Sequence, residues 1–272
     1  MPVPAVHVPV PVPVADDSIL SSPLLPRTAE ESEKWALPPA TLLAQQAAWL
    51  APARAQLLRR VAIARRQRVL ELGAGSGAVT PELVRRSGGT VVATDIALTA
   101  LREHTTALKG AWVIGSDARW LPFANDSFDL VFCQLTLLWI YPTATAIGEI
   151  WRVLEPGGVL IALEPDYGGM IEYPPEIETR HMWVAALVRA GADPHIGRKL
   201  PNVLKERGFQ LHVELLNELR PPALERLSFL QGLPLTNEQR SRLAYIKRRA
   251  ADLSGWSQVA HLPFFLITAR KP

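Results

Sequence analysis

The stretch Val69-Leu70-Glu71-Leu72-Gly73-Ala74-Gly75-Ser76-Gly77 decides the fold of this chain. Residues 68–72 are mostly apolar, which predicts a short, buried strand of a parallel sheet. Three glycines follow in a turn, and residues 78–86 can then form a helix with Pro81 in its first turn, where a missing N–H removes no hydrogen bond. Glycine lets the backbone approach a ligand closely, and a helix start offers unpaired N–H groups. The stretch therefore predicts a cofactor site.

The glycine spacing alone leaves two cofactors open. Gly73, Gly75 and Ala78 fit the dinucleotide pattern G-x-G-x-x-G/A. Asp95, twenty residues after Gly75 and at the end of the next predicted strand, would accept hydrogen bonds from the ribose hydroxyls of either a nicotinamide dinucleotide or S-adenosylmethionine. Glu71 begins to separate the two, because an acid beside the turn suits a ligand with a cationic amino-acid end, whereas a pyrophosphate gains nothing from it.

The segment Glu71–Gly77 resembles the first motif of class I S-adenosylmethionine-dependent methyltransferases. Further stretches agree with that family in order and spacing: Val92–Ile96, Gly115–Phe123, Phe128–Cys133 and Leu154–Gly158. Together they cover roughly residues 67–165, and they resemble the small-molecule branch that includes the ubiquinone/menaquinone-type enzymes (methyltransferase type 11).

The resemblance implies S-adenosyl-L-methionine as the cofactor and assigns it a set of binding residues. These are Glu71, Gly73, Ala74, Gly75, Gly77, Asp95, Ile96, Asp117, Ala118 and Gln134. In the family pattern, Asp117 would accept from the adenine amino group, the Ala118 N–H would donate to a ring nitrogen, and Ile96 would pack on the ring. Gln134 would lie near the methionine end. Where the family often has Leu-His-His after the fourth strand, this chain has Leu137-Leu138-Trp139, so no role of those histidines is carried over.

Alternating short strands and helices predict the rest of the architecture. We expect a Rossmann-like, doubly wound, mostly parallel seven-stranded sheet with an antiparallel last strand, plus N-terminal helices and a helical insertion before that strand. The predicted central elements are strands at 68–72, 90–94, 111–114, 128–133 and 158–163, and helices at 78–86, 97–107 and 143–152.

The ends of the chain are predicted from proline content and periodicity. Residues 1–38 are rich in Pro and Val and predict an extended or disordered segment, followed by a methyltransferase domain over 39–272. Its predicted flanking parts are two helices within 40–64 split at Pro52, a helix at 176–190, a helix ending at Arg207 with Gly208 as its cap, strands at 209–216 and 259–269, and an insertion at 218–258 that contains a helix at 237–253. We interpret this insertion as a substrate-side lid or a dimer contact, so that the protein is a monomer or a homodimer.

Composition narrows the class of protein. The 272 residues carry a net charge of +3, which is too small to imply a nucleic-acid partner. Cys133 is the chain's one cysteine, which excludes an internal disulfide and a cysteine-based zinc cluster, and no other metal-ligand cluster is evident. No apolar run reaches the roughly 18 residues of a membrane span, and the N-terminus lacks signal-peptide features, so we expect a cytoplasmic protein.

The loop after the fifth strand predicts the acceptor side, since substrate contacts concentrate at the carboxyl ends of strands. Within residues 164–175, Asp166 and Tyr167 are the candidates for orienting the acceptor or removing a proton. The predicted function is methyl transfer to a carbon or oxygen of a small quinone-, lipid- or natural-product-like acceptor. The alternatives are an NAD(P)-dependent oxidoreductase and a non-catalytic S-adenosylmethionine-binding protein.

Overall fold

The computed structural model describes residues 38–97, 103 and 108–272. The predicted segment 1–38 and the predicted helix 97–107 lie almost entirely outside these residues. The strands are β1 (Arg68–Leu72), β2 (Thr90–Asp95), β3 (Ala111–Gly115), β4 (Phe128–Gln134), β5 (Leu154–Pro165), β6 (Ile171–Tyr173), β7 (Gln210–Leu215), β8 (Val259–His261) and β9 (Phe264–Arg270). The α-helices are α1 (Ala40–Trp49), α2 (Ala51–Arg60), α3 (Thr80–Arg86), α4 (Thr143–Val153), α5 (Arg180–Arg189), α6 (Ile196–Arg207), α7 (Arg226–Gln231) and α8 (Asn237–Ala251).

Seven of the described strands form one sheet in the order β3-β2-β1-β4-β5-β9-β7. The pairs from β3 to β5 are parallel, whereas β9 runs antiparallel to both β5 and β7. This confirms the predicted mostly parallel, seven-stranded sheet with an antiparallel last strand. The strand order reverses between β1 and β4, and ligands of such sheets bind at the carboxyl ends of the strands at this point.

The sheet separates two apolar cores because side chains alternate between its faces. Leu130 and Phe132 of β4 pack on one face with Leu57 and Leu58 of α2. Val131 and Cys133 belong to the other core, which holds the buried side chains of α4, α5 and α6. Cys133 is fully buried there, as a small apolar residue would be, and burial holds the pKa of its thiol well above the usual range.

Several predicted boundaries were wrong: the strand predicted over 158–163 spans Leu154–Pro165, and three other elements differ for a local reason. The helix predicted from 78 begins at Thr80, because the glycine turn extends further than expected. The helix predicted over 176–190 begins only at Arg180, after a short 3-10 turn at Pro175–Ile177. The strand predicted over 259–269 is broken before Pro263, which has no N–H to donate: β8 pairs with β6, and β9 joins the main sheet.

The insertion at 218–258 packs against the sheet domain through its own apolar side chains. Leu227 and Leu230 of α7, and Leu243 and Ile246 of α8, are buried in the larger core. Its basic residues at 240, 242, 248 and 249 lie on the exposed face of α8. Its role as a substrate-side lid stays a prediction. Within the described ranges, none of the helices has the length and apolar content to cross a bilayer.

Candidate active site

The turn after β1 needs its glycines. Gly73, Gly75 and Gly77 all have positive φ, at 68°, 55° and 76°, a region that residues with a Cβ adopt only at a cost. A Cβ on Gly73 would lie 2.4 Å from the Cγ2 of Thr136, so the loop after β4 packs directly on the turn. The turn is held by hydrogen bonds from the Ala74 N–H to the carbonyl of Thr94 and from the Gly77 N–H to the carbonyl of Ala74.

A cavity of about 320 Å³ opens beside this turn, at the carboxyl ends of β1, β2 and β4. Nine of the ten predicted cofactor residues line it: Glu71, Gly73, Ala74, Gly75, Asp95, Ile96, Asp117, Ala118 and Gln134. Gly77 belongs to the adjoining turn but not to the cavity wall. Helix α1, the first helix of the described residues, lines the cavity through Leu43, Gln46 and Ala47. Residues that lie far apart in sequence thus meet around one space.

Glu71 is a buried carboxyl in the wall of this cavity. Its Oε2 accepts a hydrogen bond from the hydroxyl of Thr80, at 2.7 Å. Burial raises the pKa of Glu71 to about 7, although Thr80 and the nearby Arg54 favour the ionised form. A cationic group entering the cavity would shift the balance toward the carboxylate.

Gln134 is oriented by Arg54, a residue that sequence reasoning missed. Arg54 is buried and donates to Gln134 Oε1 at 2.9 Å, to the carbonyl of Ala47 at 2.9 Å, and to Glu82 Oε2 at 2.8 Å. A guanidinium has donors only, so the amide of Gln134 has to turn its oxygen toward Arg54. Its NH₂ group is then left to donate into the cavity. Glu71 and Gln134 together offer an acid and a donor, the pair that a zwitterionic amino acid requires.

Asp95 and Asp117 are both engaged with neighbouring N–H groups. Asp95 accepts from the Gly75 N–H at 2.8 Å and from the Ala97 N–H at 2.9 Å, one on each oxygen. Asp117 accepts from the backbone and the guanidinium of Arg119. Burial opposes ionisation of Asp117, but the bonds from Arg119 outweigh it and lower the pKa of Asp117. Each oxygen of Asp95 accepts one such bond and can accept another from a ligand, whereas each oxygen of Asp117 already accepts two contacts from Arg119.

The two predicted catalytic residues have different positions. Tyr167 lines the cavity and stacks on Trp183, and no described residue hydrogen-bonds to its hydroxyl. Burial raises the pKa of this phenol further above its usual range, so it remains protonated and can donate but not remove a proton. Asp166 does not line the cavity: its oxygens contact Arg198 Nε at 2.6 Å and His195 Nδ1 at 3.5 Å. This ion pair fixes the loop after β5.

Two more buried groups escaped sequence reasoning. Glu164, at the end of β5, accepts the backbone N–H groups of Thr136 and Leu137 at 3.0 and 2.8 Å, and so holds the loop that packs on Gly73. Its burial raises its pKa to about 7. The hydroxyl of Ser116 is buried in the cavity wall, and the described residues give it no partner. Nothing in the sequence marks these residue types as functional; only their positions do.

Comparison with known proteins shows what the region around this cavity is similar to. Residues 70–162 match a family model described as a methyltransferase domain. Over 189 residues the chain is 30% identical to the arginine-hydroxylase NDUFAF5, mitochondrial, of Danio rerio, an alignment that covers 66% of this chain and 57% of that protein. It is also 38% identical over 99 residues to a malonyl-acyl-carrier-protein O-methyltransferase of Halorhodospira halophila, covering 35% of this chain and 34% of that one.

A solved structure shows the same fold. A candidate methyltransferase from Bacillus halodurans C-125 superposes with a TM-score of 0.58 at 20% identity, over 80% of this chain and 98% of that one. The sheet therefore has the Rossmann-like topology of class I methyltransferases, and residues 70–162 match a methyltransferase domain. The chain spans a little over half the length, 57%, of the arginine-hydroxylase relative that it matches over most of its own length.

Proposed function

We propose that this protein is an S-adenosylmethionine-dependent methyltransferase that acts on a carbon or oxygen atom of a small-molecule acceptor. The observation that carries the proposal is the convergence of the glycine turn, Glu71, Asp95 and Gln134 on one cavity at the carboxyl end of the sheet. The match of residues 70–162 to a methyltransferase domain favours this function over the nicotinamide alternative.

Three features of the cavity wall fit the cofactor. Glu71 suits an ammonium group, and the amide nitrogen of Gln134 suits the neighbouring carboxylate. Asp95 lies at the end of β2, where its oxygens can accept from ribose hydroxyls. The unpartnered hydroxyl of Ser116 lies beside Asp117 and Ala118, the residues assigned to adenine, and a polar ligand group there would satisfy it.

The chain contributes binding and orientation rather than covalent chemistry. S-Adenosylmethionine, when bound, supplies an electrophilic methyl group on a sulfonium sulfur. The task of the protein is to hold the acceptor atom in line with the bond that breaks and to exclude water. Tyr167 can orient an acceptor by donating its hydroxyl proton into a hydrogen bond. We assign Asp166 the role of fixing the loop through Arg198. Neither Asp166 nor Tyr167 then acts as a base, so the proton of an oxygen or activated carbon acceptor goes to the solvent or to another group of the cavity wall.

A second candidate function follows from the names of the relatives. The similarity that extends over 66% of the chain is to a protein named an arginine hydroxylase, whereas the similarity to the O-methyltransferase covers 35%. A cofactor-binding domain that does not transfer methyl groups is therefore the alternative. The same relative is named as mitochondrial, so the cytoplasmic location, like the monomeric or homodimeric state, stays a prediction.

A labelling experiment separates these functions. The protein is incubated with S-adenosylmethionine that carries a labelled methyl group and with a panel of carboxylated quinones, fatty acids and phenols. The proposal predicts label in a small-molecule product whose mass has grown by one methylene, and no product with Asp95→Ala. Growth by one oxygen atom, or the absence of labelled product from all acceptors despite cofactor binding, would favour the alternative.

A further inference from the structure

A second large cavity, of about 910 Å³, lies between the N-terminal helices, the insertion and the edge formed by β8 and β9. Most of its wall is apolar, with the large side chains of Trp49, Met170, Trp183, Phe229, Leu262 and Phe264. Trp49 and Phe229 pack edge to face at 5.5 Å and so join helix α1 to the insertion. A space of this size and lining suits an apolar small molecule.

One cationic side chain in this wall lacks a partner. Arg226, the first residue of α7, lines the cavity, and all three of its guanidinium nitrogens are buried without a hydrogen bond to any described residue. Burial of a guanidinium without an acceptor is costly, because each lost hydrogen bond to water goes uncompensated. The negative charge of Glu172 acts on Arg226, but the oxygens of Glu172 already accept from Thr179 and from the backbone N–H of Arg180.

The other charged residues of the wall, Glu214, Glu218 and Arg220, already have partners inside or outside the wall. Glu214 pairs with Arg60 at 2.8 Å and with His212 at 3.0 Å. Glu218 pairs with Arg220, at 2.8 Å, near the exposed rim. His261 also lines the cavity, and burial lowers its pKa, which favours the neutral imidazole. Among the described residues of the wall, Arg226 is therefore the cation with which a ligand anion would pair.

We propose that this second cavity is the acceptor site and that it takes an amphipathic anion, an apolar body with a carboxylate or phosphate end that pairs with Arg226. A guanidinium binds both groups through paired, charge-assisted hydrogen bonds. Binding requires the flexible side chain of Arg226 to turn its guanidinium from the apolar wall toward the cavity that it lines, and the ion pair that results replaces an unpaired buried charge.

The assignment of this ligand as the methyl acceptor rests on the proposed function. Gln46 lines both cavities, and Tyr167 in the wall of the first cavity stacks on Trp183 in the wall of the second, so the two cavities adjoin. Arg226 does not line the cofactor cavity. An anion held by Arg226 is thus separate from the methyl donor, and the methyl group goes to another atom of the acceptor.

Titration of the full chain with decanoate, decyl phosphate and 1-decanol tests this site, with S-adenosylhomocysteine present and absent. We expect at least one anion to bind about tenfold more tightly than decanol. Arg226→Gln should weaken that anion about tenfold and leave decanol unchanged. Arg220→Gln is the matched control, because it removes a cation of the same wall that is already paired; it should change neither. A preference for decanoate or for decyl phosphate identifies the anionic group.

The inference is overturned if neither anion binds, if the anions and decanol bind alike, or if Arg226→Gln binds the anion as well as the wild type does. The affinity of each variant for S-adenosylhomocysteine, measured in the same titrations, verifies the fold. Failure of the wild type to bind S-adenosylhomocysteine would contradict the proposed function instead, whatever the anions do.

Discussion

Arg54 donates a hydrogen bond to Gln134, 80 residues further along the chain, and joins the helices that precede the sheet to the end of its fourth strand. The same guanidinium pairs with Glu82 at the start of α3. One buried cation therefore connects the helices that precede the sheet, the helix after the glycine turn, and a side chain of the cavity wall. The orientation of the Gln134 amide depends on this contact.

The first prediction concerns that contact. Gln134→Leu should weaken S-adenosylhomocysteine binding about tenfold, because it removes one donor to the ligand's carboxylate. Arg54→Met should weaken binding similarly and also lower the free energy of unfolding by roughly 3 kcal/mol, since a buried ion pair loses one partner. Calorimetry and thermal unfolding measure the two effects.

Arg86→Met is the control for these variants. Arg86 also pairs with Glu82, at 2.6 Å, but has no contact with Gln134. It should lower stability and leave the affinity unchanged. Equal affinities for wild type, Gln134→Leu and Arg54→Met would show that the contact does not serve ligand binding.

The second prediction is a pH dependence of ligand binding through Glu71. In the free protein the pKa of Glu71 is raised to about 7, and a bound ammonium group would favour its ionised form and lower that value. Binding therefore releases a proton below this pH, and the affinity for S-adenosylhomocysteine should rise as the pH is raised from about 5.5 to about 7.5. Calorimetry in buffers of different ionisation enthalpy measures the released proton. Glu71→Gln should abolish both effects; a dependence that persists in this variant would assign it to another group.

The third prediction tests the glycine turn. Gly73→Ala places a side chain at φ 68° and a Cβ 2.4 Å from Thr136. The left-handed conformation alone costs about 1–2 kcal/mol, and the clash has to move the loop that lines the cavity. Thermal unfolding should show a clear loss of stability, and cofactor binding should be lost with it.

Gly148→Ala is the control for this variant, because we expect it to change stability in the opposite direction. Gly148 lies inside α4, and a Cβ there meets nothing within 4 Å. This substitution should raise stability by up to about 1 kcal/mol, because alanine favours a helix. A Gly73→Ala protein as stable as the wild type would refute the close packing of Thr136 on the turn.

The fourth prediction concerns Glu164. Its pKa is raised from 4.5 to about 7 by burial, so the folded state binds more protons than the unfolded state between these values. Stability should therefore fall as the pH rises through this window, by up to about 3 kcal/mol for this group. Glu164→Gln should flatten the pH profile of thermal unfolding. Glu71→Gln, which alters a carboxyl of similar pKa, should flatten it independently, and the double variant more than either. A single-variant profile that matches the wild type would contradict the assignment for that residue.

The sequence predicted what depends on short-range pattern. The strand and glycine turn at 68–77 and the strand ends at Asp95 and Gln134 follow from apolar runs, glycines and helix signals. The mostly parallel sheet follows from the alternation of strands and helices. These features position nine of the ten predicted cofactor residues around the cavity. Pro263, which breaks the predicted strand 259–269, is also visible in the sequence. That the two halves pair with different strands, β8 with β6 and β9 with β5, depends on tertiary structure.

What escaped prediction depends on contacts between distant segments. Arg54 lies on a helix whose sequence shows no functional motif. Its role depends on the fold, which brings Gln134 and Glu82 within hydrogen-bond distance of it. Arg226 became notable because the structure buries it without a partner, and its sequence context shows nothing of that. Charged residues of this kind acquire their roles from tertiary packing, which local periodicity does not encode.

Titration calorimetry with S-adenosylhomocysteine and with NADH, on the wild type and on Asp95→Ala, tests the central claim most directly. Asp95 holds the Gly75 N–H and faces the cavity, so its loss should remove both the ribose contact and a support of the turn. We predict about micromolar binding of S-adenosylhomocysteine to the wild type, a loss of at least about tenfold in Asp95→Ala, and no binding of NADH. Tight binding of NADH without binding of S-adenosylhomocysteine would contradict the account and leave the glycine turn as a dinucleotide site.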